Sequence, residues 1–154
     1  MDAALIANWN EVVGPDDHVY HIGDFAKTNV LSYKRKLHGK IHWVLGNHDS
    51  PTEEEKKEFE SVDYLLRAEK INGQKICLFH YPCVTWWQKG YGTWHVYGHV
   101  HGKFSHPTDA SLDVGVDCHN YRPISFQELK ALIEKKINAK LQHPSPQESK
   151  TTAP

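Results

Sequence analysis

Four short β-type runs in this sequence each end in a cluster of polar residues, and that repeated placement constrains the fold more than any other feature. His18 to Ile22 runs into Gly23-Asp24, and Ile41 to Leu45 runs into Gly46-Asn47-His48-Asp49. Lys75 to Phe79 delivers His80-Tyr81-Pro82, and Trp94 to Tyr97 feeds Gly98-His99-Val100-His101. Strand ends in a layered sheet can converge on one edge, where glycine lets the backbone turn sharply. Carboxylates, one amide and several imidazoles would meet there. That mixture of oxygen and nitrogen suits manganese, iron or zinc better than a thiolate-preferring metal.

The segments between these clusters predict a mixed architecture. Leu5, Ile6, Trp9, Val12 and Val13 have helical spacing over Ala3 to Val13, stopped by Gly14-Pro15. Val30 to Leu37 is a second expected helix, and Ser50-Pro51-Thr52 before Glu53, Glu54 and Glu55 starts a third that ends near Glu60. Asn72-Gly73 marks a hairpin between Tyr64–Ile71 and Lys75–Phe79. Leu112 to Val116 reads as a last strand and Ser125 to Ile137 as an amphipathic helix. Strands and helices mix without strict alternation, which points to a layered α/β or α+β domain.

Length and composition narrow the class. The 154 residues fit one domain over residues 1–141, and the polar, proline-containing stretch 142–154 reads as a disordered tail. No apolar run approaches the ~18 residues a bilayer crossing needs, and no basic cluster precedes an apolar N-terminal stretch. The expected location is the cytoplasm, with no membrane contact. A net charge of −1 gives no long-range pull toward nucleic acid. Three scattered cysteines make no disulfide framework. Twelve histidines are the one compositional outlier, and imidazole is the commonest metal-binding side chain.

The ordered set GD, GNHD, the histidine before Tyr-Pro, and GHVH resembles the calcineurin-like metallophosphoesterases, and the stretches NWNEVVGPDD, VYHIGDF and YGHVHG resemble short bacterial and phage members. The resemblance runs from Met1 to the C-terminal helix. It implies two packed mixed β-sheets flanked by helices, and metal-dependent phosphoester hydrolysis by a metal-activated water. It implies Asp24 as the carboxylate bridging two cations, with Asn47, His80 and His99 completing one site and His101 belonging to the other. It implies His48 beside the scissile phosphate, with Asp49 orienting its ring. A divalent cation is expected, Mn²⁺ first, with iron, Zn²⁺ or Ni²⁺ as alternatives. The substrate would be a small phosphoester or a nucleotide, and nothing resembles a base-reading module.

The resemblance also exposes a gap. Members of the family begin with a strand ending in Asp-x-His, whereas here 23 residues precede Asp24 and none forms that motif. Asp2, Asp16, Asp17, His18 and His21 are the only nearby substitutes. The expectation is therefore one cation site of four protein ligands and a weaker second one. A missing strand would leave backbone groups open at a sheet edge, which invites pairing with another chain, including a second copy. A reading frame continuing upstream of Met1, a truncated protein and a strand supplied by a partner are the competing accounts, the first favoured. The alternative function is a weakly active or inactive binding scaffold of the same fold, or an incomplete gene product.

Other residues carry two readings each. Cys77, His80 and Cys83 have the spacing of a zinc knuckle, but no second paired motif exists and Cys77 fits a core. Trp86, Trp87, Tyr91 and Trp94 form either a pocket wall or loop packing. Arg122 binds phosphate or pairs with a surface carboxylate. His18, His21, His38, His42, His95, His106, His119 and His143 are read as surface or packing residues, His119 least firmly.

Overall fold

Helix α1 (Asp2–Val12) opens the chain in a computed structural model that describes residues 2–64, 67–104 and 110–142. It is followed by β1 (His18–Ile22), α2 (Val30–Lys34), β2 (Lys40–Val44), α3 (Glu53–Lys56) and β3 (Ser61–Asp63). These three strands form one parallel sheet in the order β1-β2-β3. A second, mixed sheet contains β4 (Arg67–Ile71), β5 (Gln74–Leu78), β6 (Trp94–Tyr97) and β7 (Ser111–Asp113) in sequence order. There β4 and β5 run antiparallel, and β5, β6 and β7 run parallel. Helix α4 (Phe126–Gln142) follows.

Strand β2 explains the layering. After Lys40 all four of its residues are buried, as expected of a parallel strand covered on both faces. Ile41 and Trp43 point outward into a core with Trp9 and Val13, Val30 and Phe59. Val44 points the other way, joining Ile22 of β1 and Ile76, Leu78, Trp94 and Val96 of the second sheet. Leu129 and Ile133 of α4, one turn apart, complete that inner core, with Ile137 packed against it. The Asn72-Gly73 turn has φ of 48° and 84°, the two left-handed residues that a two-residue type I′ hairpin requires.

The inner core is not closed everywhere. A trench of about 1070 Å³ runs between the outer edge of β1, α1 and the first turn of α4, and Ile71, Ile76, Leu78 and Val96 of the second sheet line it. Among the described residues no strand pairs with that edge of β1. The sheet edge anticipated from sequence is therefore present, flanked by apolar walls.

Several expected boundaries move for physical reasons. Helix α2 stops at Lys34 because Lys36 and Leu37 donate to the carbonyls of Tyr33 and Lys34, three residues back, tightening the chain. The helix expected to reach Glu60 ends at Lys56, after a Thr52–Glu55 capping box. The same three-residue bonds then turn Phe59 into the outer core. The strand expected over Leu112–Val116 is Ser111–Asp113, and Val116–Cys118 is a 3-10 turn, because the Asp113 carboxylate takes the Gly115 N–H and bends the chain. Strand β3 went unread, since Ser61-Val62-Asp63 is too short to alternate. Helix α4 continues past Ile137 to Gln142, one residue into the expected tail. Residues 143–154 of that tail, His106 and His143 lie outside the described residues.

Candidate metal centre

All four polar clusters leave the carboxyl ends of parallel strands: β1, β2, β5 and β6. They come together because His80 crosses between the sheets. Its Nδ1 donates to the carbonyl of Ile22, 2.9 Å away, and its side chain is 1% exposed. Two glycines make room. A Cβ on Gly23 would lie 2.3 Å from His80 Nδ1, and one on Gly46 would lie 2.3 Å from Asp24 Oδ1. No side chain fits at either position, so the loops close tightly around the imidazole.

The tautomer of His80 decides what the centre is. A carbonyl only accepts, so Nδ1 carries a proton, and in the neutral ring Nε2 presents a bare lone pair. Around Nε2 stand Asn47 Oδ1 at 3.0 Å, His99 Nδ1 at 3.1 Å and Asp24 Oδ2 at 3.4 Å. Two ring nitrogens, an amide oxygen and a carboxylate oxygen therefore converge; without a cation a proton on His99 Nδ1 bridges to His80 Nε2, and with one all four present lone pairs to it. Cation bonds of about 2.0–2.2 Å hold neighbouring ligands about 3.0–3.5 Å apart, the spacing seen here. Asp24, His80 and His99 have ligand atoms within 4.8 Å of one another, and the donor set fits a divalent metal. Tyr81 packs its ring on both imidazoles, 5.0 Å from His80 and 4.6 Å from His99.

Asp49 clamps the loops. Its carboxylate accepts from the backbone N–H groups of Asp24 (2.6 Å), Phe25 (2.8 Å) and Gly46 (2.8 Å), and from the Trp43 indole (3.1 Å). The sequence reading gave Asp49 the ring of His48; its oxygens are instead committed to the backbone that shapes the centre. His48 is exposed, and its backbone N–H donates to Asp24 Oδ1 at 2.9 Å. Asp24, His99 and His101 all adopt left-handed backbone, with φ of 57°, 67° and 49°. Such conformations cost about 1–3 kcal/mol each in non-glycine residues and concentrate at functional sites.

The second expected position is sparser. His101 stands outside the Asp24–His80–His99 group, and its Nδ1 contacts Asp117 Oδ2 at 2.5 Å. Asp113 staples the two loops involved, accepting from Gly102 N–H at 2.9 Å and Gly115 N–H at 2.8 Å. Sequence reasoning missed both aspartates. Asp117 stood in a loop singled out for His119, which donates to the Asp113 carbonyl and is structural.

The substitutes for the absent motif are occupied elsewhere. Asp2 accepts from Tyr33, Asp16 pairs with Lys40, Asp17 caps Gly14, and His18 hydrogen-bonds His42 at 2.8 Å. His21 is different. Its Nδ1 is buried without a partner, between Trp9 and Phe25. Burial pushes its pKa down to about 4, against the pull of the Asp49 and Asp24 carboxylates. No zinc knuckle forms: Cys77 is buried, Cys83 contacts the Tyr81 carbonyl, and His80 serves the centre. Trp86 and Trp94 are core residues, Trp87 and Tyr91 are exposed, and Arg122 pairs with Glu128 at 2.6 Å.

A model of the calcineurin-like phosphoesterase superfamily domain matches residues 2–114. The chain belongs to that superfamily. Superfamily members are generally hydrolases and typically bind divalent metals, which agrees with the donor set here. An uncharacterized protein of Methanocaldococcus jannaschii, MJ1445, is 32% identical over 146 residues, spanning 88% of this chain and 76% of that protein. The crystal structure of AQ665, a protein of unknown function from Aquifex aeolicus, superposes with a TM-score of 0.65 at 24% identity. That match covers 85% of this chain and 84% of the other, and it shows the shared fold. Among the described residues no helix is long and apolar enough to cross a membrane.

Proposed function

We propose that this chain hydrolyses phosphoesters with a divalent cation held by Asp24, Asn47, His80 and His99. The observation that supports it most is the convergence of two ring nitrogens, an amide oxygen and a carboxylate oxygen at the spacing of ligands around one cation. When bound, such a cation polarises a phosphoryl oxygen and lowers the pKa of water, so that hydroxide is available at neutral pH. The protein's own groups do the rest. His80 and Asp49 fix the geometry before substrate arrives, and the neutral Asn47 amide leaves the cation more positive than a second carboxylate would. His48, exposed and tied by its backbone to Asp24, stabilises the phosphoryl charge or protonates the leaving oxygen. His101, with the shared Asp24, serves a second and weaker cation position. Mn²⁺ is the favoured ion, and the substrate is a small phosphomonoester, phosphodiester or nucleotide in the cytoplasm.

The trench supports a second reading. An apolar groove beside an open strand edge is built to take an extended segment by strand addition, which is what a binding scaffold of this fold would do. One experiment separates the two: Mn²⁺-dependent hydrolysis of an aryl phosphodiester by this chain and by Asp24→Ala. Turnover that disappears in the variant is expected. A folded wild type that never turns over would end the hydrolase reading and leave the scaffold.

A further inference from the structure

We infer that Asp117 is the positioning residue of the second cation position, holding His101 in the tautomer that leaves Nε2 free to bind. The inference rests on the proposed role of His101 as a ligand there. The 2.5 Å contact between His101 Nδ1 and Asp117 Oδ2 is too short for two ligands of one cation, whose bonds of about 2.0–2.2 Å set neighbours about 3 Å or more apart. It is a direct hydrogen bond. A carboxylate oxygen accepts, so Nδ1 carries a proton, and whenever the ring is neutral it is Nε2 that keeps the lone pair. The Ile22 carbonyl imposes the same assignment on His80, in a different part of the fold. A carboxylate behind the ring also makes the free nitrogen a stronger donor.

The geometry is arranged beforehand. Asp113 joins the loop after His101 to the loop before Asp117 through Gly102 and Gly115, and the Val116–Cys118 turn presents the Asp117 side chain to the ring. Gly102 is in van der Waals reach of Cys118, since a Cβ there would lie 3.0 Å from Cys118 Sγ. A surface ion pair with no further role would not need this staple. With the pair exposed by 64% and 41%, water competes, and the effect belongs at the lower end of the about 10–100-fold range for such partners.

Two measurements test it. In long-range ¹H–¹⁵N spectra of the metal-free protein, His101 is expected as the Nδ1–H tautomer in wild type and as a mixture in Asp117→Ala. Asp117→Asn, whose amide oxygen still accepts, is expected to keep the wild-type pattern. In calorimetric titration with Mn²⁺, Asp117→Ala should bind the first equivalent as wild type does, which shows an intact fold, and the second about tenfold more weakly. The asparagine variant should recover most of that loss. An alanine variant with the wild-type tautomer, or with undiminished second-equivalent binding, overturns the inference. Should wild type take up one equivalent only, the second position itself falls, and the tautomer spectra alone judge the dyad.

Discussion

His80 and His101 are both imidazoles held at Nδ1 by one oxygen, yet the first is 1% exposed and the second 64%. The oxygen behind His80 is a strand carbonyl, so the orientation of that ring is lost only when the first sheet, which holds β1, separates from the second, which delivers His80. The oxygen behind His101 is a side chain on a short turn, stapled by another side chain. One half of the centre is therefore a property of the whole fold, and the other a property of two loops. Local openings that spare the core would disturb only the second.

Cation binding should break along that line. His80→Ala is expected to abolish turnover and weaken the first Mn²⁺ by more than the about 10–100-fold that outer partners carry, whereas His101→Ala should leave the first equivalent intact. Calorimetry on the two variants reads both. If both equivalents weaken together in His101→Ala, the two halves are not separable.

Stability sharpens the contrast next. Asp49→Ala strands three backbone N–H groups and the Trp43 indole, and should cost about 3–5 kcal/mol in urea unfolding. Asp113→Ala strands two donors in the looser half and should cost about 1–3 kcal/mol. Equal losses would deny that the halves differ in rigidity.

The next effect depends on pH. His21 titrates near 6.5 when unfolded and at about 4 in the fold. Between these values the unfolded chain holds a proton that the folded one does not, so stability falls as pH drops through that window. The slope is at most about 1.4 kcal/mol per pH unit. Above the window the contribution is fully present. Thermal unfolding of metal-free wild type against His21→Phe should show the variant with the flatter profile. An unchanged slope would mean that the buried ring is protonated alongside Asp24 and Asp49.

Much of the first half was legible in the sequence, because each candidate ligand closely follows a strand, and all but His80 directly follow a glycine. Asp24, Asn47, His80 and His99 were singled out by the ordered motifs of the family resemblance, and the strand ends bring them within reach of one another. The clamp was not legible. Asp49 follows His48, which invites a partnership between neighbours, but its carboxylate serves Asp24, Phe25 and Gly46 through contacts that only the sheet order creates. Asp113 and Asp117 carried still less signal, since short loops leave no period and an aspartate in a turn has many local uses. Strand β3 was invisible for want of length, and the ends of α2 and α3 depended on which residue the core pulled inward.

The left-handed backbone at Asp24, His99 and His101 has a consequence for descent. Each of these residues sits where glycine or asparagine would be more comfortable, so the chain gives up folding stability to keep them there. His101→Gly should make the metal-free protein more stable by about 1 kcal/mol while removing the second cation position, the smallest effect expected here. A thermal shift in the opposite direction would show that the Asp117 contact outweighs the strain. A lineage released from the chemistry would then be rewarded at once for discarding its ligands, starting with the exposed one. Functional decay in such a fold would run downhill in stability terms, leaving a sturdier protein with an emptier site.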